Sequence, residues 1–414
     1  MEIRPFRVLF VLNASGGGAS QGIYELLDSV SKEQLEAYVV VPDSPNANQV
    51  KRLDQLCRFW MRVPSTWWNK KSHNSWKEKL IYLLKSNIRT FFGLIPTYRI
   101  WRLIKKHNID IVYTGTSLNR EGALAARHRG IPHIWHIKET IGPRGRVQFP
   151  KGELKLSQYI LKHSQRVVVM TEYIKSFFHA KCQDNPKLQV VYDGIDASKF
   201  QDPGCGQTLR SKLGLRDSDI LVAMVASLSS SWKKHHLFVE MARVLKDQSC
   251  NLKYVLFGPL PKKHQSRIYN RPWEYYQTLM DLLKGHPVSE DFIWAGFHEN
   301  IPELMDAIDI LVHPCDIEPF GRIAIEAQAA GTVVVGPDKG GISESVVPGK
   351  TGFLVKAGDV SAFGQAVKEL SQNSSLRQQL GYQGQQHVRN TFKQSQHNSL
   401  ILDIFNDITE TLTK

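Results

Sequence analysis

One pattern constrains this chain more than any other, and it occurs twice. In the first half, short apolar runs at Val8–Leu12, Ala37–Val41, Asp110–Tyr113, His133–His136, Val167–Met170 and Leu188–Tyr192 are separated by helix-length polar segments. Helical spacing is clear at Ile23–Val30 and near Glu121–His128. Near-continuous apolar runs of strand length, with helix-length connections, are what a parallel sheet covered on both faces needs. A second series begins at Ile220–Ala226 and continues through Tyr254–Phe257, Phe292–Trp294, Ile308–His313 and Val333–Val335 to Phe353–Val355. Its expected helices are Leu237–Lys246, Trp273–Lys284, Ile301–Ala307 and Arg322–Ala330, followed by a long helical tail. The fold class predicted is α/β, with two Rossmann-like doubly wound domains facing a central cleft, where such sheets take their ligands.

Length agrees with that division, since 414 residues are too many for one core. The polar stretch Asp196–Asp217, with Pro203, Gly204, Gly206 and Gly214, is the expected linker. Expected domain limits are 1–200 and 210–385, with a C-terminal helix over 386–414 crossing back to the first domain. Five scattered cysteines without a CxxC pair form no zinc or disulfide framework, which points to a reducing cytosol. The first apolar run is too short for a signal peptide, and no run reaches the ~20 apolar residues of a membrane-spanning helix. A cytoplasmic protein, peripheral on the inner membrane face at most, is expected.

Chemistry concentrates after the run Ile308–Val312. The segment Glu318-Pro319-Phe320-Gly321-Arg322-Ile323-Ala324-Ile325-Glu326 carries two carboxylates eight positions apart, around a Phe-Gly turn. A helix starting near Gly321 presents free N–H groups suited to a phosphate. Carboxylates accept charge-assisted hydrogen bonds from vicinal hydroxyls, so the pair can grip two diols at once. The plainer alternative is one helix acid plus one solvated surface acid. A second glycine loop, Gly340-Gly341-Ile342-Ser343-Glu344, follows the next strand. Gly349-Lys350-Thr351 is not a P-loop, because Glu344 stands where the first glycine belongs. Gly16–Gly18 is not a dinucleotide fingerprint, because Gln21 replaces its third glycine. Asp217-Ser218-Asp219 reads as a turn rather than a metal motif, and His235-His236 as one exposed and one half-buried helix residue.

The string from Glu318 to Val355 (EPFGRIAIEAQAAGTVVVGPDKGGISESVVPGKTGFLV) resembles the donor-site signature of the family-4 retaining nucleotide-sugar glycosyltransferases, which have the GT-B fold. Gly16-Gly17-Gly18-Ala19, Gly130-Ile131-Pro132 and Val190–Asp196 extend the resemblance over most of the chain. It implies that Glu318 contacts hydroxyls of the transferred sugar and that Glu326 holds the ribose. The backbone of Phe320, Gly321 and Arg322 is then expected to meet the sugar and diphosphate. By the same resemblance Lys233 neutralises the departing phosphate, Gly17 and Gly18 let the N-terminal loop approach the phosphates, and His136 lies beside the sugar. One position departs from the pattern. Ser227 stands where the family usually has an arginine, so that half of the diphosphate clamp is either missing or supplied by Lys234, Arg322 or another residue. Neither cofactor nor metal is implied.

Charge adds a further expectation. The net charge is +14, and Lys51–Lys106 alone holds fourteen Lys or Arg against Asp54 and Glu78. Within it Trp76, Leu80, Leu83, Leu84, Ile88 and Phe91 fall at helical spacing among lysines, with Trp60, Trp67, Trp68 and Trp101 nearby. That composition suits an anionic membrane surface, whereas no nucleic-acid module accompanies it. The expected partners are a nucleotide-sugar donor, a glycan or lipid-linked acceptor and that membrane surface. The competing readings are a related GT-B phosphorylase or epimerase, and a catalytically weak membrane-docked scaffold, which Ser227 favours.

Overall fold

The computed structural model describes residues 4–65, 67–68, 93–149, 152–228, 231–246, 251–263 and 267–413. The basic amphipathic stretch from Trp76 to Phe91 lies outside them. The chain forms two compact units, Met1–Gly194 with Gln394–Lys414, and Ile195–Lys393.

The first unit is built on seven parallel strands: β1 Phe6–Val11, β2 Leu35–Val41, β3 Phe59–Arg62, β4 Ile111–Thr114, β5 His133–Ile137, β6 Arg166–Val169 and β7 Leu188–Val190. Their order in the sheet is β3-β2-β1-β4-β5-β6-β7. Successive residues of β1 serve opposite faces, Val8 and Phe10 entering one core and Leu9 and Val11 the other. That explains why the run is apolar throughout instead of alternating. The strand β3 (FWMR) was not anticipated, because its two aromatics and Arg62 read as part of the basic stretch. The C-terminal helix Gln394–Thr413 belongs to this unit. Ile401, Ile404, Phe405 and Ile408, on one helical stripe, enter the core that holds Phe10 and Tyr113.

The second unit has six parallel strands: β8 Ile220–Val225, β9 Leu252–Phe257, β10 Phe292–Gly296, β11 Ile310–Val312, β12 Val333–Pro337 and β13 Gly352–Val355, in the order β10-β9-β8-β11-β12-β13. Again both faces are buried, with Val222 and Met224 on one side and Leu221 and Ala223 on the other. The polar stretch read as a linker is part of this unit. It forms a 3-10 turn at Ala197–Phe200 and a helix at Gln207–Lys212. The Gly206 N–H donates to the Asp306 carboxylate at 2.7 Å, and Arg210 bonds to Asp309 and to the Ala307 carbonyl. Polar composition there reflects hydrogen bonding to a neighbouring helix end, not freedom.

Both sheets reverse strand order at one place, between β1 and β4 and between β8 and β11. Loops leaving the carboxyl ends of two such neighbours diverge to opposite faces and open a crevice, which is where doubly wound sheets bind ligands. No helix among the described residues is long and apolar enough to cross a membrane.

Candidate functional site

In the second unit the loops that leave β8 and β11 carry the residues singled out above. After β8 the chain passes Ser227 and reaches the short 3-10 turn Ser231–Lys233, then Lys234 and the helix His235–Leu245. After β11 it runs from His313 through Glu318 to Gly321, which opens the helix Arg322–Ala330. Three contacts stitch the loops together. Lys233 Nζ lies 2.5 Å from Glu318 Oε2, Lys234 Nζ lies 2.6 Å from Asp316 Oδ1, and the Cys315 thiol donates to the Trp232 carbonyl at 3.3 Å. The Lys233 ammonium also sits over the Trp232 ring, 4.2 Å from its centroid.

Glu318 has a second partner in His313 Nε2, at 3.1 Å. Burial by itself would raise the Glu318 carboxyl, but the Lys233 charge and the hydrogen bonds from His313 and Lys233 outweigh it and hold the group far below its usual range. Glu318 is therefore a carboxylate, an acceptor only. The Cys315 thiol is pushed up to about 12 by burial and by Glu318, so it remains a donor. Among the described residues, His313, Cys315 and Glu318 form a possible metal-ligand group, their ligand atoms within 4.8 Å of one another. The cation that faces Glu318 there is Lys233.

Backbone geometry sets where Glu318 stands. Gly321 is left-handed (φ 81°, ψ 49°), a conformation that only glycine takes without strain. The second glycine loop lies directly against the first. Gly341 N–H donates to the Glu318 carbonyl at 2.7 Å, and a Cβ on Gly341 would lie 2.1 Å from the Pro319 oxygen. Phe320 is buried with its ring edge-on to Phe392, so only its backbone is available to a ligand. Arg322 Nε donates to Glu326 Oε1 at 2.8 Å, one helical turn on. The structure thus brings Lys233, Lys234 and Glu318 together in one cluster and pairs Arg322 with Glu326. Of the pair read as one exposed and one half-buried residue, His235 is buried against the Ala226 carbonyl and His236 is half-buried. Asp219 closes a turn onto Arg216.

In the first unit the loop after β1 is fixed from outside. Ser15 bonds to Asp43 through N–H and hydroxyl, and Tyr24 OH donates to the Ser15 carbonyl. Gly17 (φ 93°) begins the helix Gly18–Ser29, which has no side-chain cap and no acid in its first turn. A Cβ at Gly17 or Gly18 would meet no atom within 4 Å. The protein's own packing therefore does not require glycine at 18. His136 is 1% exposed, with the Tyr113 hydroxyl 2.5 Å from its Nδ1 and the His397 ring close by. Burial, reinforced by Lys138, holds it well below its ordinary value, so it is a neutral imidazole. Two positions on, Lys138 makes a buried ion pair with Asp193 at 3.0 Å, against the backbone of the first helix at Gly22.

Sequence reasoning missed His313, Asp316 and the Lys138–Asp193 pair. A signal existed for Lys138, a charge directly after the strand His133–Ile137. None existed for Asp316, whose partner is 82 positions away.

The model of the family described as "Glycosyl transferases group 1" matches residues 207–387, and that of "Glycosyltransferase Family 4" matches residues 16–199. A curated relative, the N-acetyl-alpha-D-glucosaminyl L-malate synthase of Bacillus anthracis, is 21% identical over 256 residues, 61% of this chain and 63% of that protein. The D-inositol 3-phosphate glycosyltransferase of Streptomyces avermitilis is 27% identical over 274 residues, 64% of this chain and 58% of that one. The matched stretch thus spans about three-fifths of the length of these two relatives. Among solved structures, a glycosyltransferase from Rickettsia africae superposes with a TM-score of 0.78 at 20% identity, covering 98% of this chain and 99% of the other. Anabaena HepE, in complex with UDP and glucose, gives 0.75 at 18% identity, covering 97% and 100%. These likenesses show the fold, which is GT-B.

Proposed function

The chain belongs to the family 4, group 1 glycosyltransferases, each half matching one of the two models, and from that premise we propose that it moves a sugar from a nucleotide-sugar donor to a hydroxyl of a glycan or lipid-linked acceptor, with retention at the anomeric carbon. The observation that carries this reading is the Lys233–Glu318–His313 cluster at the strand-order reversal of the second sheet. A carboxylate kept ionised beside a lysine suits a donor whose two ends make opposite demands. Glu318 accepts hydroxyls of the sugar, and Lys233 meets the negative charge that builds on the departing diphosphate, where stabilisation accelerates transfer most. Glu326, beside Arg322, takes the ribose diol. The helix Arg322–Ala330 aims its first N–H groups at a phosphate, and Gly17 and Gly18 leave room for one to approach the first unit's loop. No metal is proposed; Lys233 and Lys234 serve as the cations once a phosphate draws them from Glu318 and Asp316.

Membrane docking belongs to the same proposal. The helix Leu94–His107 exposes Leu94, Ile95 and Tyr98 beside Arg99 and Arg102, an apolar and basic combination suited to an anionic surface on the cytoplasmic side.

The test is a thermal-shift panel of UDP, GDP, ADP and dTDP, each with and without its sugars, on wild type and Glu326→Gln. A ligand at ~100 times its dissociation constant adds ~2.7 kcal/mol to the folded state. One nucleotide that stabilises wild type but not the variant supports a donor site. Silence from all of them supports the scaffold reading that Ser227 favours.

A further inference from the structure

Lys233 and Lys234 are neighbours in sequence but serve different carboxylates. Lys234 has left-handed backbone angles (φ 60°, ψ 40°) at the start of the helix His235–Leu245. That conformation is strained for a non-glycine residue, so the surrounding loops must hold it. Its consequence is geometric. Lys233 points to Glu318 at 2.5 Å and Lys234 to Asp316 at 2.6 Å, two residues earlier in the facing loop. Two ammonium groups thus meet two carboxylates, and the four charges cancel.

Such a neutral set does not draw in a diphosphate. Any anion that engages both lysines has to take them from Asp316 and Glu318. The two exchanges are not equivalent. When Lys233 turns to phosphate, Glu318 keeps His313 and gains sugar hydroxyls. Asp316, by contrast, faces Lys234 rather than Lys233. We infer that Asp316 is a built-in competitor of the diphosphate for Lys234, holding that lysine between turnovers and setting how tightly a nucleoside diphosphate is retained. This rests on the donor-site reading and adds to it a residue that tunes product release, a step that limits turnover in many enzymes.

The Lys234–Asp316 side chains are 26% and 24% exposed, so the pair is a partly screened one. Breaking it should change affinity by about two- to fivefold. Titration calorimetry of UDP, GDP, ADP and dTDP is run on wild type, Asp316→Asn, Asp316→Ser, Lys234→Met and the Lys234→Met/Asp316→Asn double variant, with the melting temperature of each recorded. The expected result is that both neutral replacements at 316 bind the preferred diphosphate about two- to fivefold more tightly. Lys234→Met should bind it more weakly, and adding Asp316→Asn to it should give no gain. A purely structural Asp316 predicts the reverse, a lower melting temperature with weaker binding. If wild type binds a diphosphate and the 316 variants bind it no better, the inference falls and the donor-site reading stands. A gain that persists without Lys234 also overturns it. If none of these proteins binds any of the four diphosphates, the donor-site reading itself has failed.

Discussion

Gly341→Ala is the most direct probe of how the site is held. The added Cβ would lie 2.1 Å from the Pro319 oxygen, 2.5 Å from the Pro319 carbonyl carbon and 2.6 Å from Phe320 Cα. All three are backbone atoms, so no side chain can swing away. Separation to ordinary contact requires the two loops to part by about 1 Å. The Gly341 N–H bond to the Glu318 carbonyl, 2.7 Å long, would stretch with them. Overpacking costs about 1–3 kcal/mol and the weakened hydrogen bond about 1 kcal/mol, so a total near 2–4 kcal/mol is expected. In a unit of about 200 residues each kcal/mol moves the midpoint by ~2–4 °C, which puts the second unit's transition about 5–15 °C lower. Function should suffer more than stability, since a displacement of about 1 Å at a positioned group can cost on the order of 100-fold in rate. Differential scanning calorimetry with a nucleotide-sugar turnover assay reads both effects. Gly349→Ala is the control, being left-handed (φ 69°) with no atom within 4 Å of its Cβ, so it carries backbone strain alone. A Gly341→Ala protein that melts within about 1 °C of wild type and turns over normally would refute the account of Glu318 being buttressed from behind.

Three further outcomes can be measured. Gly18→Ala should leave the melting temperature unchanged or slightly raised, because its Cβ meets nothing and alanine favours a helix by about 0.5–1 kcal/mol; nucleotide affinity should nevertheless fall, and unchanged affinity would show that no ligand approaches there. Phe405→Ala removes a fully buried ring that packs edge-on against Phe6 and Tyr113; a loss of about 3–5 kcal/mol in urea unfolding of the first unit is expected, and a loss under about 1 kcal/mol would mean that the C-terminal helix adds little to that core. Acid should destabilise both units before any carboxylate titrates. Burial lowers His133 to about 3 and His235 to about 4, so each is neutral when folded and takes up a proton only on unfolding at mildly acid pH. Their contribution is complete above the unfolded value of 6.5 and is lost as pH falls through the window down to about 4 for His235 and about 3 for His133, at up to ~1.4 kcal/mol per pH unit each. Urea unfolding at about pH 7 and about pH 5 should show this slope, and His133→Gln should reduce it in the first unit, where buried His136 contributes in the same direction; an unaltered slope would place its origin elsewhere.

Much of this protein is local and so could be read along the chain. Apolar runs buried on both faces identify parallel strands, and their recurrence after Ile220 gives two sheets of one kind. The Phe320-Gly321 turn, the Gly340-Gly341 loop and the Glu318–Glu326 spacing belong to a single strand–loop–helix unit and its neighbour, so they can be read together along the chain. Other features depend on which strands lie side by side. Parallel neighbours are joined by long crossovers, so β8 and β11 are adjacent in the sheet although some 85 residues apart, and only that adjacency sets Lys234 against Asp316 and Lys233 against Glu318. Register decides which side of a strand a residue serves, and it put His136 into the core beside Tyr113 and His397, a placement that the string His-Ile-Trp-His-Ile-Lys-Glu does not encode. Polarity alone likewise mistook 196–217 for a linker, because a segment that bonds to a neighbouring helix end looks the same in sequence as one that bonds to water. Local composition specifies what each segment becomes. Which charges meet is decided by long-range packing, whose free energy is shared over the whole sheet and written at no single position.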